Sequence, residues 1–263
     1  MFAKRRNFMK IAVITGASSG IGHQFALQLD NEGFDEIWGI ALPDDKLENL
    51  KNELKTKVRT IGLDLTSPAD LEKYASILEE EQPNVSWLVN CSGYCKFGDY
   101  ATIPLKTSLN MIDLDVKALV AMTELTLPYM QKEGRIIEIA SMAGLQPVPY
   151  MNVYSASKAF VLSYSRALNR ETRKRQGVSV TCVCPLWTKT NFLNVANQTT
   201  SKVVTYISTQ YDPAKVVAKA IKDTKKKKDV SIYGFKAKNQ RLLVKLIPHR
   251  IAINVWLRQQ KLK

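Results

Sequence analysis

Histidine is almost missing from this chain, which has two in 263 residues beside four cysteines at 91, 95, 182 and 184. A metal centre is therefore not expected: cysteines 182 and 184 form Cys-x-Cys inside a β-like run, and the imidazoles to complete a site are lacking. The cysteines lie in or beside apolar stretches rather than in a small secreted framework, which predicts reduced thiols and a cytoplasmic protein. No stretch approaches the roughly 18 apolar residues of a membrane span. Residues 1–10, Met-Phe-Ala-Lys-Arg-Arg-Asn-Phe-Met-Lys, imitate the basic start of a secretory leader. The apolar run after them, 11–14, is far shorter than a leader core, so no leader is expected. Internal repeats and low-complexity linkers are also absent. With 45% hydrophobic residues the chain can bury one sizeable core, and a single domain over 1–263 is expected.

Acidic residues run short at one end. The net charge is +14, and residues 211–263 hold 15 Lys+Arg against 3 Asp, a balance of +12. The run Lys225 to Lys228 reads as a solvated loop ahead of a strand-like Val230 to Tyr233. A basic amphipathic segment follows at about 239–263, where Leu242, Leu243, Leu246, Ile247, Ile251, Val255, Trp256 and Leu257 surround Pro248 among cations. Such a segment covers the body or a second subunit, or lies on an anionic membrane; packing is the preferred reading. The charge has no aromatic stacking platform beside it, so no nucleic-acid partner is expected.

Strand-like runs occur at 10–15, 36–41, 58–63, 85–90, 134–140, 178–184 and 229–233. Helix-length segments at 20–32, 44–56, 68–81, 105–131, 153–175 and 213–224 separate them. Alternation of this kind predicts an α/β fold: a single doubly wound Rossmann-type domain with a seven-stranded parallel sheet flanked by helices, its ligands beyond the carboxyl ends of the strands. Ser67 and Pro68 suit an N-cap and a first helical position.

The first strand leads into Thr15-Gly16-Ala17-Ser18-Ser19-Gly20-Ile21-Gly22. Strand, glycine-rich turn and helix together make a phosphate cradle, because glycine lets backbone approach a pyrophosphate and the helix start offers free N–H groups. The spacing departs from Gly-x-Gly-x-x-Gly. Far downstream, Tyr154-Ser155-Ala156-Ser157-Lys158 sets a phenol and an ammonium four residues apart on one helix face. A cation there lowers a phenol's pKa from about 10 toward neutrality. Alone, that spacing also occurs on solvated helix faces.

Together these motifs resemble the short-chain dehydrogenase/reductase family, with its Thr-Gly-x-x-x-Gly-x-Gly loop and Tyr-x-x-x-Lys pair. Asp64-Leu65, Asn90-Cys91-Ser92-Gly93 and Ser141 fall in the family's order, and the likeness covers residues 9 to 195. The resemblance implies that Tyr154 is the general acid in reduction and base in oxidation, that Ser141 positions the substrate carbonyl, and that Lys158 serves both the phenol and the nicotinamide ribose. It assigns cofactor contacts to Gly16, Ser18, Ser19, Gly20, Ile21, Gly22, Asp64, Leu65, Asn90, Ser92, Gly93, Tyr154, Lys158, Pro185, Thr188 and Thr190.

Two positions depart from the family pattern. Asp115 stands where an Asn usually supports a water leading to the Lys, and an ionised Asp115 could pair with Lys158. Leu186 replaces a glycine after Pro185, which should reshape the pocket or demand another backbone angle. Tyr94, Met142, Pro149, Met151, Trp187 and Phe192 suggest an apolar substrate side, with core packing as the alternative for each. In Gly39-Ile40-Ala41-Leu42-Pro43-Asp44-Asp45-Lys46 neither the Asp/Glu of NAD-preferring members nor the basic residue of NADP-preferring ones stands in its usual place, and Asp44 and Asp45 look like a helix cap. Lack of a carboxylate to repel a 2′-phosphate tips the expectation to NADP(H), with NAD(H) as the alternative. The expected protein interconverts a small apolar or acyl-type carbonyl and a secondary alcohol, as a homodimer or homotetramer packed through 105–131 and 153–175. The competing expectation is a weakened member that binds cofactor or scaffolds a partner.

Overall fold

The structure, a computed structural model, describes residues 9–201 and 203–262; the first eight residues of the leader-like stretch 1–10 lie outside them. Runs rich in Val and Ile form seven strands, β1 (Lys10–Thr15), β2 (Glu36–Ala41), β3 (Lys57–Gly62), β4 (Asn84–Asn90), β5 (Met130–Ile139), β6 (Ser179–Val183) and β7 (Val230–Ser231). They form one parallel sheet in the order β3-β2-β1-β4-β5-β6-β7. The order reverses between β1 and β4, and that switch point opens the crevice in which such sheets bind ligands.

Alternate residues of β1 serve opposite faces of the sheet. Ala12 and Ile14 pack with Phe25 and Leu29 of α1 (Gly20–Leu29), Leu47 and Leu50 of α2 (Asp45–Glu53), and Val217 and Ile221 of α8 (Pro213–Lys225). Ile11 and Val13 pack with Tyr74 and Leu78 of α3 (Pro68–Glu81) and with Met122 of α5 (Leu119–Thr126). Both faces are apolar because helices cover both, the usual condition of a parallel sheet. The α3 start is as expected: Ser67 Oγ accepts from Asp70 N at 3.3 Å and Pro68 sits at the first helical position.

Several expected boundaries move. The single helix over 105–131 is instead α4 (Leu105–Ile112), a π-helical turn at Asp113–Ala118, then α5. Pro128 then breaks the chain into a 3-10 turn, Leu127–Tyr129, so β5 begins at Met130 rather than at 134. A short α7 (Phe192–Ala196) was not anticipated. The long α6 (Asn152–Gln176) ends on Gly177 in the left-handed conformation, φ 75°. The basic tail begins earlier than expected, as α9 (Phe235–Leu246) and α10 (His249–Gln259), which Pro248 separates. The lysine run 225–228 is not simply solvated, since Lys225 pairs with Glu32, Lys227 with Glu133 and Lys228 with Asp223. Among the described residues no helix is long and apolar enough to cross a membrane.

Candidate active site

The end of β1 is tied to the end of β4 by a side chain. Thr15 Oγ1 accepts from Cys91 N at 2.9 Å and Ser92 N at 3.1 Å, so the two strands part at a fixed width where the sheet order reverses. Sequence reasoning took Thr15 only as part of the loop motif; its position at a strand end before the glycines was the available signal. Gly16 follows with φ 65°, and the chain turns back so closely that a Cβ on Gly22 would collide with the Gly16 carbonyl. Ser19, the N-cap of α1, makes no side-chain cap bond, and the first turn of α1 carries no acid. The helix start is therefore open to an anion. Glycine loop and helix end together fit a dinucleotide pyrophosphate.

Ser141, beyond β5, has its Oγ 3.1 Å from Ala143 N, which it accepts. Tyr154 and Lys158 project from the first two turns of α6, and both are buried. Ser141 and Tyr154 line the same cavity, and the Ser141 hydroxyl is near enough to draw the phenol's pKa down. Lys158 Nζ donates to Ile139 O at 3.0 Å, lies 3.4 Å from Asp115 Oδ1, and stands 5.6 Å from the Tyr154 ring centroid. Asp115 is delivered by the π turn, whose extra residue per turn swings its side chain inward. Gly93 is required beside this pair, because a Cβ there would collide with Asp115 Oδ1.

Burial governs the charges. It raises the Asp115 carboxyl to about 6 from its ordinary 3.8, with Lys158 holding the rise back. Tyr154 is pushed well above its ordinary value, first by burial and then by the Asp115 charge, while the Ser141 hydroxyl pulls it down. This corrects the sequence expectation of a phenol brought toward neutrality by Lys158. The ammonium faces Asp115 as well as the phenol, and desolvation outweighs its pull. Asp115 Oδ2 is buried and has no hydrogen-bond partner among the described residues.

One cavity of about 280 Å³ brings together Gly16, Ser19, Gly20, Ile21, Ser92, Gly93, Ser141, Tyr154, Lys158, Pro185, Thr188 and Thr190. Other expected contacts stand apart from it. Ser18 is half-buried outside the lining, and Gly22 supports the loop from behind. The exposed Asp64 accepts from Thr66 N at 2.9 Å and caps a turn, while Leu65 is in the core. Asn90 turns inward, its Nδ2 donating to Thr123 Oγ1 at 2.8 Å and Glu138 Oε1 at 3.3 Å and so tying β4, α5 and β5 together, while its buried Oδ1 has no partner among the described residues. Asp115 lies 3.4 Å from Lys158 and outside the lining.

The far end of the cavity is apolar. Tyr94, Met142, Met151, Trp187 and Phe192 line it as expected. Pro149 does not, and instead its carbonyl accepts from Trp256 Nε1 at 3.1 Å. Trp256 itself lines the cavity from α10; the sequence marked it as part of a covering segment but not as a pocket residue. Leu186 has no positive φ; it packs against the buried residues around Cys182 and Cys184 and also lines the cavity, so of the two expected consequences its side chain is seen at the pocket wall. At the end of β2, Leu42 is exposed and Asp44 accepts from Leu47 N at 2.8 Å as the cap of α2, as read from the sequence.

Comparison with known proteins agrees with this geometry. Residues 10–201 match the family described as short chain dehydrogenase. An uncharacterized oxidoreductase of Staphylococcus epidermidis is 30% identical over 181 residues, 67% of this chain and 76% of its own length. The human very-long-chain 3-oxoacyl-CoA reductase is 32% identical over 201 residues, 73% of this chain and 63% of its own. Among solved structures, a short-chain dehydrogenase from Sphingobium yanoikuyae in complex with NADPH superposes with a TM-score of 0.74 at 26% identity, covering 89% of this chain and 91% of that one. One from Burkholderia phymatum in complex with NAD shares the fold, with a TM-score of 0.74 at 20% identity over 85% and 88% of the two chains. With the glycine loop, the Ser-Tyr-Lys cluster and the sheet order all in place, the chain belongs to the short-chain dehydrogenase family of oxidoreductases.

Proposed function

We propose that this protein interconverts a carbonyl and a secondary alcohol on a small apolar or acyl-type substrate with NAD(P). The observation that carries the reading is the meeting of Ser141, Tyr154 and Lys158 with the glycine loop around one cavity whose far end is apolar. A bound nicotinamide cofactor supplies or accepts hydride; the chain supplies everything else. Gly16, Ser19, Gly20 and Ile21 receive the pyrophosphate on backbone, and Pro185, Thr188 and Thr190 flank the nicotinamide end. Tyr154 gives its proton to the substrate oxygen in reduction and takes it back in oxidation, while Ser141 orients that oxygen. Lys158, held by Ile139 O, keeps a positive charge near the phenolate that forms in reduction. Met142, Met151 and Phe192 exclude water from the reacting carbon.

NADP(H) is the favoured cofactor, because Asp44 and Asp45, the carboxylates that follow β2, belong to the cap and first turn of α2 and neither stands at the strand end itself. Self-association is assigned to α4 and α6, where Leu105, Leu109, Ile112 and Phe160 stand exposed. A second reading, a cofactor-binding protein with little turnover, draws on the buried Asp115–Lys158 pair, which diverts the ammonium from Tyr154. Oxidation of NADPH and NADH in the presence of a panel of ketones, aldehydes and acyl carbonyls separates the two. The expected result is turnover with apolar carbonyls and a larger thermal stabilisation by NADP(H) than by NAD(H). Thermal stabilisation without turnover of any panel member would establish the second reading instead.

A further inference from the structure

We propose that α9 and α10 dock this protein on an anionic lipid surface. Phe235, Leu242, Leu243 and Leu246 follow one another at i, i+7, i+8 and i+11, a spacing that places them on one side of α9. That side is uncovered: Phe235 is 77%, Leu242 59% and Leu246 72% exposed. Ile251 and Val255, four residues apart, extend the apolar surface along α10 and are also about half exposed. The adjacent side of α10 is packed, since Ala252 is buried and Trp256 reaches the cavity and the Pro149 carbonyl. Gln260, buried, accepts from Thr205 N at 2.9 Å and Tyr206 N at 2.8 Å, fixing the end of α10 on the body. The segment is therefore anchored by one face and presents another.

Charge identifies the occupant. Residues 230–263 contain eight Lys+Arg and no Asp or Glu. Lys225, Lys227 and Lys228, just before, are each neutralised by a carboxylate of the body, whereas no Lys or Arg after them forms an ion pair among the described residues. Lys236, Lys238 and Lys245 flank the apolar side of α9, and Arg250 and Arg258 stand exposed on α10. Uncompensated cations bordering an apolar stripe match the interface of a bilayer, where headgroup phosphates take the cations and the acyl boundary takes the leucines. A second copy of the same face is a poor occupant, because two acid-free cationic surfaces repel.

The test is co-sedimentation of the full chain with vesicles of phosphatidylcholine containing phosphatidylglycerol, and with vesicles of phosphatidylcholine alone. Binding to the anionic vesicles at low salt, weakening as salt rises, is expected. The double substitution Leu242→Glu/Leu246→Glu should reduce that binding by about tenfold or more, with oligomeric state, circular dichroism and carbonyl turnover unchanged. If the glutamates disturb folding, Leu242→Ser/Leu246→Ser serves in their place. Three results would overturn the proposal: no binding to anionic vesicles at low salt, undiminished binding by a folded double variant, or dissociation of that variant into smaller oligomers. The last would make this face a contact between copies. The vesicle readout requires no turnover, so it stands or fails independently of the catalytic reading.

Discussion

The two walls of the cavity are specified by opposite means. The wall from β1 and α1 works through what its residues lack: a side chain at Gly22 would strike the Gly16 carbonyl, and the start of α1 carries neither an acid nor a side-chain cap. The wall from α6 and the π turn works through charge, with Lys158 and Asp115 both buried and 3.4 Å apart beside Tyr154. Steric permission is a property of residue type and is legible in a sequence. The behaviour of buried charge depends on depth and neighbours, which spacing alone does not give.

The largest effect should come from the charged wall. Tyr154→Phe keeps the ring that packs 5.5 Å from Phe192 and removes the proton. Turnover is expected to fall by about 10²- to 10⁴-fold, the usual weight of a general acid, with cofactor affinity nearly unchanged. Steady-state kinetics with a titration of the reduced cofactor measures both. Retention of most of the activity would remove the charged wall from the chemistry altogether.

The glycine wall should respond to Gly22→Ala in a different currency. The added methyl meets backbone of the Thr15–Gly16 segment, which is anchored to Cys91 and Ser92 through Thr15 and cannot step aside. A loss of about 1–3 kcal/mol in unfolding stability is expected, as for other overpacked sites, together with weaker cofactor binding. Urea unfolding and a cofactor titration report the two. A variant as stable as the parent, with parental affinity, would show that the loop is not held by close approach.

The same contrast explains what could be read in advance. Strand order, the glycine loop and the cap at Ser67 follow from periodicity and residue type, and the observed sheet has the expected seven parallel strands. The long helix was misjudged because the π turn at Asp113–Ala118 leaves no mark in hydrophobic spacing, although Pro128 did signal an earlier end. Asn90 was assigned to the cofactor by its place in a motif, yet its Nδ2 donates to Thr123 and Glu138, partners far away in sequence. Trp256 was missed as a pocket residue because nothing local to α10 says which face meets the body. The phenol's pKa was misjudged most instructively, since the spacing of Tyr154 and Lys158 is visible and the burial that overrides it is not.

The smallest effect is also the one that most sharpens the comparison. Asp115→Asn preserves size and removes charge, so it separates the geometry of the charged wall from its electrostatics. Burial raises the Asp115 carboxyl from 3.8 to about 6, which means that the folded protein binds this proton more tightly than the unfolded chain. The group's contribution to stability is therefore full below pH 3.8 and is lost as pH rises through about 6. The variant lacks that slope, so its unfolding temperature relative to the parent should climb between those two pH values and level off above them. At the active centre the Asp115 charge helps to push Tyr154 upward; without it the phenol should titrate lower. The pH profile for alcohol oxidation should then move to lower pH, with a gain at fixed pH of about tenfold for each pKa unit moved. Lys158 retains Ile139 O as a partner in the variant, so its position should hold. A profile that stays in place would mean that Tyr154 does not sense the carboxylate. The charged wall would then be, like the glycine wall, a matter of shape.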